Sequence, residues 1–172
     1  MKQVGFLILL GLSMLLFLTL ECKAEEVNSM RLSSPAFEHN GYLPAKFTCQ
    51  GQGVNPELEI ESIPEGAKSL ALIMDDPDAP SGDFVHWVLY NIPVTSRIEE
   101  NSIPGEEGIT STGRPGYVSP CPPTGTHHYF FKVYALDKTL DLGARSRKAD
   151  LLKAMSGHIL GKAELISLYQ KK

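Results

Sequence analysis

Residues 128–136 read HYFFKVYAL and residues 85–92 read VHWVLYNI. Both are rich in aromatic and β-branched side chains, and the first alternates with a period of two. Each is a candidate central strand of a β-rich domain, the second closed by Pro93. Working outward, residues 69–74 (SLALIM) form a continuous apolar run fit for another central strand. Residues 58–62 alternate apolar and acidic side chains, as a half-buried strand does, and residues 43–49 are a candidate first core strand. Pro and Gly separate these short runs through the first three quarters of the chain, the punctuation of an all-β domain. The tail differs. Residues 146–155 (SRKADLLKAM) place Ala149, Leu152 and Met155 at helical spacing, with Leu151 flanking them and Gly157 as a stop signal. Residues 163–169 (AELISLY) suit a helix or an edge strand, and the strand reading is favoured.

The length of 172 residues suits one domain, and 42% apolar with 21% charged residues fits a globular chain. The net charge of −4, with no cluster of Lys and Arg, argues against a nucleic-acid partner. An anion site would have to be local, made of a few convergent donors. Residues 1–24 form a separate object. Lys2 precedes an apolar stretch over 6–20, and Cys22 and Ala24 stand at −3 and −1 of a cleavage site. This pattern predicts a secretory signal peptide removed after Ala24, with a membrane anchor or a lipoprotein signal as alternatives. The expected product is a single domain over 25–172, exported to a periplasm or secreted, with no stable membrane span. Cys49 and Cys121 then remain. In an oxidising compartment they could form a disulfide; the alternative is two separate buried thiols.

Three segments carry candidate chemistry. Asp75-Asp76-Pro77-Asp78-Ala79-Pro80 puts three carboxylates in four positions. They would repel unless they accept backbone hydrogen bonds, bind a cation or orient other side chains; an ordinary solvated Asx turn is the plainer reading. His86 lies in a strand, where alternation gives it the face of Val88 and sends Trp87 and Leu89 to the other. It is a core residue unless other polar groups converge on it. Pro120-Cys121-Pro122-Pro123-Thr124-Gly125-Thr126-His127-His128-Tyr129 combines a stiff wall with His127 and Tyr129 on one strand face and His128 on the other. A Pro- and Gly-rich connection as long as 103–125 is usually functional or disordered, and its prolines lower the entropy cost of one fixed shape.

These segments, in this order, resemble the phosphatidylethanolamine-binding proteins, and more closely the bacterial branch called Raf kinase inhibitor-like proteins. Phe47-Thr48-Cys49 and the tail pieces Gly157-His158-Ile159-Leu160 and Ala163-Glu164-Leu165 fit as well, so the resemblance covers about 32–169. It implies a mainly β fold, an antiparallel β-sandwich with a few peripheral α-helices and a cis-proline in the Asp-Pro loop. It also implies a non-enzymatic pocket for phosphate, acetate or a phospholipid head group. Carried over by position, the ligand-binding residues are Asp76, His86, His127 and Tyr129, lined by Phe84, Pro122 and the Cys121 backbone. No cofactor and no metal are implied; a homodimer or a protein partner is compatible. Eukaryotic relatives carry an arginine where His128 stands, so a permanent cation is missing from the rim. The export signal argues against inhibition of a cytosolic kinase. With two histidines as its cationic groups, such a pocket would bind phosphate-like anions more tightly as pH falls. Enzymatic alternatives are a two-His-one-carboxylate metal site on His86, His127 and Asp76, or Cys121 as nucleophile with His127 as base. Neither a His-Glu-x-x-His helix nor a Gly-x-Ser-x-Gly elbow is present.

Overall fold

A computed structural model describes residues 29–172; the expected signal peptide at 1–24 lies outside the described residues. In chain order come β1 (Arg31–Ser33), β2 (Gly41–Tyr42), a 3-10 turn (Ala45–Phe47), β3 (Leu58–Glu61), β4 (Ser69–Asp76) and β5 (Phe84–Ile92). Then follow β6 (Arg97–Ile98), β7 (Glu106–Glu107), β8 (His127–Leu136), α1 (Lys148–Met155) and β9 (Ile159–Tyr169). The strands form a three-stranded sheet, β1-β3-β6, and a six-stranded sheet, β2-β9-β8-β4-β5-β7. All pairings are antiparallel except the two-residue β2–β9 contact.

The six-stranded sheet is covered on both faces, which is why all eight residues of β4 are buried. On one face Leu70, Leu72, Met74, Phe131 and Val133 pack against Leu32, Leu58, Ile60 and Ile98 of the small sheet. On the other, Ala71, Ile73, Val88 and Tyr90 pack against Leu140 and against Leu151 and Met155 of α1. The face toward the small sheet will be called the inner face, and the one under α1 the helix face.

Three sequence expectations are corrected here. Residues 43–49 are not a strand: Leu43 and Phe47 do enter the core, but Pro44 starts a 3-10 turn whose bonds run Phe47 N–H to Pro44 O and Thr48 Oγ1 to Ala45 O. Such local bonds compete with a ladder. The helix buries Leu151 and Met155, four apart, and leaves Ala149 and Leu152 exposed. It touches the sheet along one narrow line, so the i, i+4 pair lies beneath it with Ala154 partly buried beside them. Finally, all peptide bonds of the described residues are trans, including those before Pro77 and Pro80. The chain reverses there through an Asx turn instead, the Asp78 N–H donating to Asp76 Oδ1 at 2.9 Å.

A bulge in β5 does the most for the site. Met74 pairs with Trp87, but the next residue, Asp75, pairs with Val85, so His86 is one extra residue on the β5 side. Alternation is interrupted there. His86 therefore lies on the inner face along with Trp87 and Phe84, while Val85 and Val88 pack toward the helix face. This corrects the expectation that His86 shares the face of Val88. The bulge is held from outside: the carbonyls of Val85 and His86, consecutive in sequence, accept from the N–H groups of Ser111 (3.0 Å) and Val118 (2.9 Å). The loop over 108–118 thus does the work of an edge strand. Gly108 lets it lie close, because a Cβ there would sit 2.7 Å from Ser146 O and Val88 Cγ1.

Candidate functional site: an acid, two imidazoles and a phenol around one cavity

The end of β4 supplies Asp76, the β5 bulge His86, and the start of β8 His127 and Tyr129. All four line one cavity of about 390 Å³, together with Phe84, Cys121 and Pro122. Each expected ligand residue is therefore on this wall. Val118, Ser81 and Ser119 also line it. Sequence reasoning missed them; the one available cue was Val118, an apolar residue set just before the Pro-rich wall.

The polar geometry is specific. The His127 Nδ1 lies 2.8 Å from Asp76 Oδ2, and the His86 Nδ1 lies 2.6 Å from the carbonyl oxygen of Val118. The His86 Nε2 is 4.0 Å from Asp76 Oδ2. The ring of Tyr129 meets His86 edge-on at 5.2 Å and stacks with His127 at 6.5 Å. The Tyr129 hydroxyl is buried and makes no hydrogen bond of regular geometry among the described residues, and the acceptor within its reach is the Asp76 carboxylate. Burial pushes the His86 imidazole below its ordinary value, and the Val118 carbonyl and Asp76 carboxylate restore only part of that. Burial and the adjacent Asp76 push the Tyr129 phenol far above its ordinary range, so it stays a donor.

The three clustered acids each find a different solution. Asp76 orients His127. Asp78 accepts both the backbone N–H and the ring of His128, at 2.8 and 2.7 Å, and those bonds hold it below the usual carboxylate value. Asp75 points to the helix face, where Lys132 Nζ approaches it at 2.7 Å and Lys148 Nζ at 2.6 Å. Lys148 also bonds Asp83. Burial acts to lower Lys148, but its bonds to Asp75 and Asp83 outweigh that and raise it.

Cys49 and Cys121 form a disulfide with Cα atoms 5.4 Å apart. It fastens the turn after Phe47 to the cavity wall, alongside the bond from the Cys49 N–H to Pro120 O. A bonded Cys121 has no thiol for nucleophilic attack. Among the described residues no three His, Cys, Asp or Glu side chains are arranged to hold a metal ion. His86 and His127 spend one ring nitrogen each on Val118 and Asp76.

The sequence profile of the phosphatidylethanolamine-binding proteins matches residues 33–170, nearly the whole described chain. The chain belongs to the phosphatidylethanolamine-binding protein family. Archaeal and bacterial members are among its relatives. A UPF0098 protein of Methanothermobacter thermautotrophicus is 46% identical over 150 residues, 83% of this chain and 99% of that one. A UPF0098 protein of Chlamydia muridarum is 44% identical over 149 residues, again 83% and 99%. The crystal structure of a phosphatidylethanolamine-binding protein homolog from Chlamydia trachomatis superposes with a TM-score of 0.82 at 41% identity, covering 84% of this chain and 99% of that chain. Escherichia coli YbcL, described as a new member of the mammalian family, superposes at 0.77 with 26% identity and the same coverage. The mainly β fold, two stacked sheets with a peripheral helix, is that of these family members.

Proposed function

We propose that the chain is an exported binding protein, without enzymatic activity, for a small oxyanion: phosphate, acetate or a phospholipid head group. The single observation that carries this reading is the Tyr129 hydroxyl. It is buried, makes no hydrogen bond of regular geometry among the described residues, has only the Asp76 carboxylate within reach, and is borne by a residue of the cavity wall. An unpaired buried hydroxyl costs on the order of 1–3 kcal/mol, and an anion oxygen in better alignment than Asp76 recovers part of that. His86 and His127 flank the same space, and Asp76 acts by positioning His127. Ser81 and Ser119 add hydroxyls to the wall. Export is supported by the leader pattern over 1–24 and by a disulfide between two exposed cysteines, which suits an oxidising compartment.

Isothermal titration of the purified protein with phosphate and acetate tests this. Saturable binding is expected, weakened about tenfold by Tyr129→Phe, which removes one hydrogen bond of roughly 1.4 kcal/mol. Absence of binding by the wild type for both anions contradicts the reading, as does full affinity in Tyr129→Phe.

A further inference from the structure

We propose that a second cavity, walled by Trp87 and Tyr117, binds a primary ammonium group carried on a short apolar stem, with Glu107 as its counter-ion.

This cavity measures about 250 Å³ and shares no lining residue with the one built on Asp76. Residues consecutive in sequence, His86 and Trp87, and again Tyr117 and Val118, line different cavities. The floor is the buried Trp87, whose ring meets Tyr117 edge-on at 5.7 Å. Val54 and Ile103 add apolar wall, and Ile103, 63% exposed, stands at the mouth. None of the described residues lining the cavity is Lys, Arg or His.

The wall is built to keep its shape. β7 pairs Glu107 with Leu89 of β5, and Gly105 lets the chain lie close there, since a Cβ would sit 2.5 Å from Tyr90 O. The rim segment over 99–103 is fastened by the buried Asn55. Its side chain donates to Glu99 O and accepts the Ser102 N–H, both at 3.0 Å, and its carbonyl accepts the Asn101 N–H at 3.2 Å. A site held in this way is formed before a ligand arrives, which lowers the entropy cost of binding.

Glu107 is the group that points to a cation. Among the described residues its side chain accepts one hydrogen bond, from the Trp87 indole N–H. At 3.4 Å that bond is longer than the ordinary range of about 2.7–3.2 Å. Among the described residues Glu107 has no ion-pair partner, yet it is partly buried. Every other described Asp or Glu without an ion pair is exposed, where water serves it. A carboxylate offers lone pairs for several donors, and withdrawing one from water with a single long bond is unfavourable. An ammonium group supplies compact charge and three donors at that spot. Its methylene stem would lie against Tyr117, Val54 and Ile103. Anions and neutral ligands gain nothing from Glu107.

Trp87 is the only Trp of the chain, so its indole N–H gives one signal in a nitrogen–proton spectrum and reports on the site directly. Pentylamine added to the purified protein is expected to move that signal saturably. Pentanol, of equal length and uncharged, should bind about tenfold more weakly. Glu107→Gln keeps the side-chain size and should weaken pentylamine about tenfold. Ile103→Ala, at the exposed mouth, should weaken it about threefold and leave methylamine, which has no stem, unaffected. N-acetyl-lysine methylamide separates the sources of the group. A response like that to pentylamine extends the site to Lys side chains of a protein partner, and no response confines it to free amines. An indole signal that stays fixed in the wild type at high pentylamine overturns the proposal. So does equal affinity for pentanol, or full pentylamine affinity in folded Glu107→Gln. Should Glu107→Gln fail to fold, full pentylamine affinity in Ile103→Ala overturns it instead.

Discussion

Asp75 and Asp76 are adjacent on β4 and equally buried, yet they live in opposite electrostatic worlds. Asp75 points to the helix face and meets two ammonium groups, from β8 and from the first residue of α1. Asp76 points to the inner face and meets two imidazoles and a phenol. Strand alternation alone makes this separation. Permanent cations are kept on the side where they hold α1 to the sheet, and titratable ones on the side that lines the cavity. The first acid contributes to structure; the second sets the chemistry of a site whose charge depends on pH.

The strongest way to break this comparison is to truncate each acid in turn. Asp75→Ala leaves two lysines, about a quarter exposed, without their shared counter-ion. Breaking such a buried cluster costs about 2–4 kcal/mol, the buried-pair range discounted for exposure. Asp76→Ala removes one charge-assisted bond to His127 and costs about 1–3 kcal/mol. Urea midpoints should therefore fall further for Asp75→Ala. Titration calorimetry should show its phosphate affinity within about twofold of wild type, whereas Asp76→Ala alters it. Equal effects of the two variants on affinity would erase the division between the faces.

The division also has a pH signature. His86 is held below its ordinary value in the folded chain, so between that value and the unfolded one near 6.5 the unfolded chain binds more protons. Its contribution is intact above the unfolded value and is lost as pH falls through the window. Lys148 is raised, so its contribution is present below its unfolded value near 10.4 and is lost as pH rises past the folded one. Between those limits the helix face is insensitive to acid while the pocket is not. Urea midpoints between pH 8 and 5 should fall for wild type and fall less for His86→Phe. Phosphate should blunt the fall, since it stabilises the protonated ring.

Much of the fold was legible in the sequence for a plain reason. The strands at 58–61, 69–76, 84–92 and 127–136 bury alternating or continuous apolar runs, and burial is what periodicity reports. The four cavity groups were legible only as segments in a known order. No single residue among them announces a site. What stayed hidden has physical causes. Alternation assigned His86 to the wrong face because a bulge inserts a residue without leaving a Gly or Pro as a marker. Pro44 turned an apolar stretch away from the ladder, and the narrow contact of α1 buried Leu151 in place of Leu152. The ion cluster of Asp75, Lys132, Lys148 and Asp83 joins groups up to 73 residues apart, a separation that no local pattern reports.

The most direct test is a long-range nitrogen–proton spectrum of the histidine rings, recorded while phosphate is added. His86 and His127 should begin with a hydrogen on Nδ1, the nitrogen that faces Val118 O in one ring and Asp76 Oδ2 in the other, and their Nε2 signals should move with saturation. His39, His128 and His158, which do not line the cavity, should hold still. Pocket rings found without a hydrogen on Nδ1, or Nε2 signals that stay fixed at saturating phosphate, would contradict the account.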